Sequence, residues 1–202
     1  MIHAAGFQAA IAAGGRGIRA CRGTPGTKVK SLSVSVRRAD AGDMDPEKTA
    51  DGHHIIVDGR RWRATDPAIP ETFRQELVDE LMSARRAVGA GESDARRRVG
   101  DAKIALGERG APWWEERSGT EFDERIAAAV RALVRKRQDS SICPSDVART
   151  VGAESWREIM DDVRRVTAHL ADEGQVIVTQ KGEPVQLSEA RGPVRIVRGP
   201  EL

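Results

Sequence analysis

The sequence contains no tyrosine, and its aromatic residues are three Phe and four Trp in 202 residues. It has two cysteines, Cys21 and Cys143, which lie far apart in the chain. This cysteine content argues against a disulfide scaffold and a cysteine-rich zinc site, and it favours a reducing, cytoplasmic location. No segment approaches the ~18 uncharged apolar residues that a membrane span needs, so we expect no membrane partner.

A large excess of one charge is also missing. The chain has 33 Lys and Arg against 31 Asp and Glu, a net charge of +2. This near-balance argues against a histone-like protein that coats nucleic acid by bulk charge. The positive excess is confined to residues 1–50, which hold eight basic and four acidic residues, whereas residues 51–202 are slightly acidic.

Residues 1–50 are rich in Gly, Ala and Arg and have few large apolar side chains. Such a segment cannot offset its ordering entropy, so we predict a disordered basic arm. It could contact phosphates, or it could be an Arg-rich targeting peptide. It could also precede the native start, because Met44 begins a plausible N-terminus just before the composition becomes globular. We favour that last interpretation or plain disorder over any function.

Residues 51–117 are predicted to form a β-hairpin followed by two helices. The Asp58-Gly59 pair supplies the positive φ angles of a two-residue type I′ turn. This turn places Ile55, Val57 and Trp62 on one face of the hairpin, and we expect that face to be buried. The other face is basic, because it carries Arg61 and Arg63.

Apolar residues recur at helical spacing from Glu71 to Val88, where Gly89 supplies a C-terminal stop. A second helix is predicted from a cap at Ser93 to Gly107. Two helices with a short break favour a helical hairpin on which the β-hairpin packs. The Trp113-Trp114 pair that follows is typical of a chain end anchored to a core, with one ring buried.

Residues 121–199 are predicted to form three helices and then a second β-hairpin. The first helix covers about Glu121 to Arg137, and a short second helix has Pro144 in its first turn and ends at Gly152. A capping box at Ser155 predicts a long third helix. Its apolar stripe begins with Trp156 and continues to Leu170, and the helix stops at Gly174.

The predicted fold class is α+β and mainly helical. Strand-like sequences at 176–179 and 194–197 follow the three helices and are separated by a turn-rich stretch from Lys181 to Pro193. Three helices, the second very short, followed by a β-hairpin, is the order of a winged helix-turn-helix. In that fold the third helix would lie in the major groove of DNA, and the hairpin loop would form the wing.

Six short motifs carry a resemblance to known bacterial proteins: Ile142–Arg149, Trp156-Arg157, Val178–Gly182, Arg191–Pro193, Asp58–Pro67 and Gly110–Glu115. Residues 121–199 resemble a small bacterial domain of unknown function that is expected to be a winged helix. Residues 58–115 are similar to short bacterial proteins described as biopolymer transporter Tol. The resemblance implies a fold and a bacterial setting, and it brings no catalytic residues with it.

No catalytic constellation is recognisable, so we predict a protein that is not an enzyme and needs no cofactor or metal. His53 and His54 are adjacent on a predicted strand and point to opposite faces, which does not suit one metal ion. His169 is expected to be a solvated surface residue. Cys143 has no histidine near it in sequence, and the carboxylates beside arginines on the helices are typical of solvated faces.

Two function classes remain: binding of duplex DNA, which is slightly favoured, and docking or self-association through the winged-helix fold. The candidate nucleic-acid contacts are Arg157, Arg164 and Arg165 on the third helix, Gln180, Lys181 and Arg191 at the wing, and Arg61 and Arg63 on the first hairpin. Against DNA binding, the third helix also carries Glu158, Asp161 and Asp162. If these acids share the presented face, the domain should repel DNA and dock a protein.

Overall fold

The computed structural model describes residues 46–116 and 118–202. Its first sheet is antiparallel and has three strands. Its strands are β1 (Glu47–Lys48), β2 (His54–Val57) and β3 (Arg60–Arg63), in the order β1-β2-β3. The predicted hairpin register is confirmed, because Ile55 faces Trp62 and Val57 faces Arg60. The type I′ turn is supported by φ angles of 51° at Asp58 and 71° at Gly59.

Strand β1 corrects the predicted extent of the N-terminal arm. Glu47 pairs with Ile56 and Lys48 with Ile55, so these residues belong to the sheet and not to the arm. The remainder of that prediction concerns residues 1–45, including Met44, which lie outside the described residues.

The expectation that one face of the first hairpin is buried is wrong. Trp62 is 48% exposed and Val57 is 41% exposed. The hairpin instead contacts the Trp113-Trp114 segment at the end remote from its turn. The His53 ring stacks on Trp114 at 4.0 Å, and Trp113 donates its Nε1–H to the carbonyl of Ala64 at 3.0 Å. Both tryptophan rings are half-buried in this contact, so neither is the buried ring that the sequence predicted.

Five α-helices follow in the described part of the chain: α1 (Glu71–Ala90), α2 (Ala95–Ala105), α3 (Gly119–Lys136), α4 (Pro144–Gly152) and α5 (Met160–Asp172). Helix α1 runs two residues past the predicted end. Gly89 lies inside it, and Gly91 takes the left-handed conformation at its C-terminus, with φ of 81°. The bounds of α4 match the prediction, with Pro144 in the first turn and Gly152 as the last residue.

Helix α5 begins later than predicted, and the capping box at Ser155 is not formed. Ala153–Ser155 is a short 3₁₀ helix, and Ala153 has a φ of 50°. The side chain that fills the corner is Ile159, which is buried and lies against Gly152. Because Ile159 takes the buried position, Trp156 is left half-buried at the edge of the core and outside α5.

The second sheet is formed by β4 (Val176–Gln180), β5 (Glu183–Pro184) and β6 (Arg195–Arg198), in the order β5-β4-β6. A single residue from the α3–α4 connection joins this sheet. Ile142 bridges Ile196, and each residue donates its N–H to the other's carbonyl at 2.9 Å. The sheet therefore has the segment between α3 and α4 at one edge and β4 near its centre.

One hydrophobic core includes residues from both predicted units, 51–117 and 121–199. Leu77 of α1, Leu106 beside α2 and Leu133 of α3 belong to the same cluster of buried apolar residues as Val163 of α5 and Ile196 of β6. The described residues, 46–116 and 118–202, belong to one compact unit. The packing therefore extends across the sequence boundary predicted near residue 120.

Several carboxylates expected on solvated faces are buried between helices. Asp66, Glu80 and Asp101 are 2%, 3% and 4% exposed. Each is paired with an arginine of another segment, so the charge is compensated where it is buried. The pairs are Asp66–Arg125 at 2.7 Å, Glu80–Arg98 at 2.9 Å and Asp101–Arg135 at 2.6 Å.

Candidate nucleic-acid interface

The two arginines inside α5 are held by the protein itself. The Nη2 of Arg164 donates to the carbonyls of Leu187 and Ala190, both at 3.2 Å, and so holds the loop between β5 and β6. Arg165 makes two hydrogen bonds to Asp123 of α3, at 2.6 and 2.8 Å, and a third to Asp162 at 2.9 Å. Both guanidinium groups are therefore committed to internal partners.

The hydrogen bonds around Arg165 fix its charge and that of its partner. They raise the pKa of the Arg165 guanidinium further above its ordinary value. The same contact lowers the pKa of the Asp123 carboxyl below its ordinary value of 3.8. Each group is held in its charged form by the other, so a phosphate would have to displace a bidentate carboxylate to reach Arg165.

The outward side of α5 is acidic. Residues Val163, Val166, Thr167 and Leu170 are buried, so helical geometry places Asp161, Arg165 and Asp172 on the opposite side. Asp161 and Asp172 are exposed. Because Arg165 is paired, the net charge presented on this side is negative, which weakens attraction to phosphates.

The predicted wing residues are brought together by a side-chain contact. Gln180 donates its Nε2–H to the carbonyl of Arg191 at 2.7 Å and to that of Pro193 at 3.3 Å. Its role is therefore to close the loop. Lys181 and Arg191 are both exposed, and Lys181 has a φ of 55° in the turn between β4 and β5. These two cations are available to an external anion.

A second basic feature lies at the turn before α5. Trp156 has the guanidinium of Arg157 at 4.3 Å and that of Arg149 at 4.9 Å from its ring. Both distances are within the range of cation–π attraction. In residues 46–116 and 118–202, no carboxylate lies within ion-pair distance of either arginine. Arg157 was predicted from the sequence as a candidate contact, whereas Arg149 was not, because its contact with Trp156 depends on the bend between α4 and α5.

The two arginines of the first hairpin differ in their surroundings. Arg63 is half-buried, and its Nη1 donates to the carbonyls of Gly110 and Ala111 at 2.7 and 3.3 Å. Its guanidinium also lies 5.5 Å from the Trp114 ring. Arg61 is exposed. Of this pair, Arg61 is the more exposed, and Arg63 is engaged by backbone carbonyls.

The eight selected residues therefore do not form one continuous surface of available cations. Within the described ranges, no group of three or more His, Cys, Asp or Glu side chains is placed to hold a metal ion. Across the same residues, no helix combines the length and apolar character that crossing a membrane requires.

Residues 123–199 match a family described as a protein of unknown function, DUF3253. The match begins within α3 and ends just after β6, so it covers the segment predicted from sequence to resemble a domain of unknown function. No curated protein matches the chain. The similarity of residues 58–115 to Tol proteins stays a prediction.

Proposed function

We propose that residues 119–199, which contain the segment matched by that family, form a winged-helix domain that docks another protein and catalyses no reaction. Three features support the winged-helix assignment. The order is α3, the bridging residue Ile142, α4, α5, β4 and β6. The three helices pack on one core with the sheet. A loop with its own small apolar cluster joins β5 to β6.

The observation that carries the docking function is the electrostatics of α5. In a winged helix that binds DNA, the corresponding helix enters the major groove, where it meets a high density of phosphate charge. Here Arg164 and Arg165 are used inside the domain, and Asp161 and Asp172 face outward. A partner protein with basic side chains suits this side better than DNA does.

The docking proposal is tested by crosslinking in cells. A photo-crosslinking amino acid at position 169, an exposed position of α5, should give one discrete protein adduct, or an adduct with a second copy of the chain. The same amino acid at position 75, an exposed position of α1, is the control. The double variant Asp161→Lys, Asp172→Lys should abolish the adduct at position 169. An adduct that survives this charge reversal would contradict the proposal.

Duplex DNA is the second candidate, and one specific observation favours it. Lys181 and Arg191 are exposed at the wing and are held near each other by Gln180. We would measure the anisotropy of a labelled random-sequence duplex at 50 and 200 mM salt. The docking proposal expects a dissociation constant weaker than about 10⁻⁴ M even at the lower salt, which is below ordinary non-specific binding. Tighter binding, with a salt slope that falls by about one in Lys181→Ala, would establish DNA as the ligand.

A further inference from the structure

A second exposed surface lies on the first hairpin, away from α5 and the wing. Trp62 and Val57 are exposed on the same face of this hairpin, beside the half-buried Ile55. Their side chains form the floor of a groove between β2, β3 and the helical hairpin. Large apolar side chains that stay exposed together in this way are typical of a binding surface.

The border of this groove is basic. Arg60, Arg85 and Lys103 line it, and the Lys103 ammonium lies 5.8 Å from the centre of the Trp62 ring. Arg85 donates to the sulfur of Met82 at 3.7 Å, which leaves its charge uncompensated. Within the described part of the chain, neither Arg60 nor Arg85 has a carboxylate at ion-pair distance.

Two acidic residues also line the groove, and one of them is already engaged. Glu108 accepts a hydrogen bond from Thr65 at 3.0 Å and lies 3.9 Å from Lys103. Asp58 is in the turn at the end of the hairpin. Arg63 also lines the groove, so four cations outnumber the two anions, and Arg60 and Arg85 are available to an anionic ligand.

We propose that this groove binds an acidic peptide segment that inserts an apolar side chain between Trp62, Val57 and Ile55. The apolar side chain would cover the exposed floor, and flanking carboxylates would meet Arg60 and Arg85. Tryptophan and arginine are the residue types that most often dominate such contacts. A single-stranded nucleic acid is the less suitable occupant, because it needs aromatic rings for successive bases and the floor offers one ring and two aliphatic side chains.

The proposal is tested with the full chain and three fluorescein-labelled heptapeptides. The first is Glu-Asp-Leu-Glu-Phe-Asp-Glu. In the second, lysines replace all the acidic residues, and in the third, serines replace Leu and Phe. We expect the first peptide to bind at least about tenfold more tightly than either of the others, because both charge and apolar contact are required. Equal binding of all three would overturn the proposal.

Two pairs of variants locate the binding. Trp62→Ala should weaken binding of the first peptide at least about tenfold, whereas Ile177→Ala, which removes an exposed apolar side chain of β4 outside the groove, should leave it unchanged. Arg85→Glu should weaken binding, and Arg86→Glu should not, because Arg86 is the next residue of α1 and lines a different surface. Equal effects within either pair of variants would overturn the proposal. So would a labelled ten-residue oligothymidylate that binds the protein more tightly than the first peptide does.

The outcome of the peptide-binding test is independent of the proposed function of residues 119–199. Neither Trp62 nor Arg85 lies in that segment, and the crosslinking test at α5 uses neither residue. A failure at the hairpin groove would therefore leave the docking proposal for α5 untouched, and the converse also holds.

Discussion

The carboxylate of Asp66 and the guanidinium of Arg125 form a buried ion pair at 2.7 Å. Asp66 follows the first hairpin, and Arg125 lies in α3, so the contact joins the two segments that the sequence separates. Asp66 also accepts the N–H of Ala68 at 2.9 Å, and its own N–H donates to the carbonyl of Leu106. One residue thus ties together the hairpin, the end of α2 and α3.

We predict that Asp66→Ala destabilises the protein by about 3–5 kcal/mol, because it removes one partner of a buried ion pair. Urea denaturation followed by circular dichroism would measure this loss. The control is Asp79→Ala, which breaks an exposed pair with Lys136 and should have a far smaller effect. A loss below about 1 kcal/mol for Asp66→Ala would show that the pair does not hold the two segments together.

Trp156→Ala should cost about 1–2 kcal/mol, less than the roughly 3–5 kcal/mol expected for a fully buried tryptophan. The ring is half-buried and lies beside Arg149 and Arg157, so part of its contact is with solvated side chains. Ile159→Ala is the matched comparison, because Ile159 occupies the buried position at this corner. If Trp156→Ala were the more destabilising of the two, the assignment of these positions would be wrong.

Arg164→Ala should loosen the loop between β5 and β6 with little effect on overall stability. Its guanidinium donates to two loop carbonyls, those of Leu187 and Ala190, and the variant removes both bonds. We expect faster amide exchange or proteolysis confined to residues 185–193. Arg165, at the next position, contacts Asp123 of α3 instead, so Arg165→Ala should leave the exchange of the loop unchanged. Identical loop exchange in both variants would contradict this role for Arg164.

The contact between Asp123 and Arg165 should contribute a pH-dependent part of the stability. The hydrogen bonds from Arg165 lower the pKa of Asp123 below 3.8, so folding favours the ionised carboxyl. The contribution is then complete above about pH 4 and is lost as the pH falls through the folded pKa. Asp123 is partly exposed, so the stabilisation is at most about 1 kcal/mol.

The corresponding measurement compares the wild-type protein with Asp123→Asn at pH 7 and pH 2.5. The variant should be less stable than the wild type at pH 7, and the difference should be smaller at pH 2.5, because the contribution of the ionised pair declines once the pH is below the ordinary pKa of 3.8. A difference in stability that is the same at both pH values would rule out the ionised pair as its source.

Local sequence was sufficient to predict those features that depend on residues close together in the chain. The Asp58-Gly59 turn fixed the hairpin register, because positive φ angles at two consecutive residues allow only a few turn types. Pro144 and Gly152 bounded α4 for similar reasons of backbone geometry. The α+β class and the family match to residues 123–199 agree with these patterns.

The candidate site was less predictable, because the sequence shows which side chains are charged but not which partners they meet. Arg164 and Arg165 were selected as free cations, and both are held by groups more than 20 residues away in the chain. The alternation of β2 and β3 likewise showed that Trp62 and Val57 share a face, but not whether anything covers it. Exposure of that face is a property of the whole packing arrangement.

The sequence by itself determined the hairpin turn, the presence of the helices and most of their apolar faces, since these depend on backbone preference and periodicity within a few residues. Tertiary structure alone decided that Asp66, Glu80 and Asp101 are buried with arginine partners, that Trp156 is only half-buried, and which cations stay available. The physical reason is that burial and ion pairing are set by contacts between distant segments, whose relative positions no local pattern specifies.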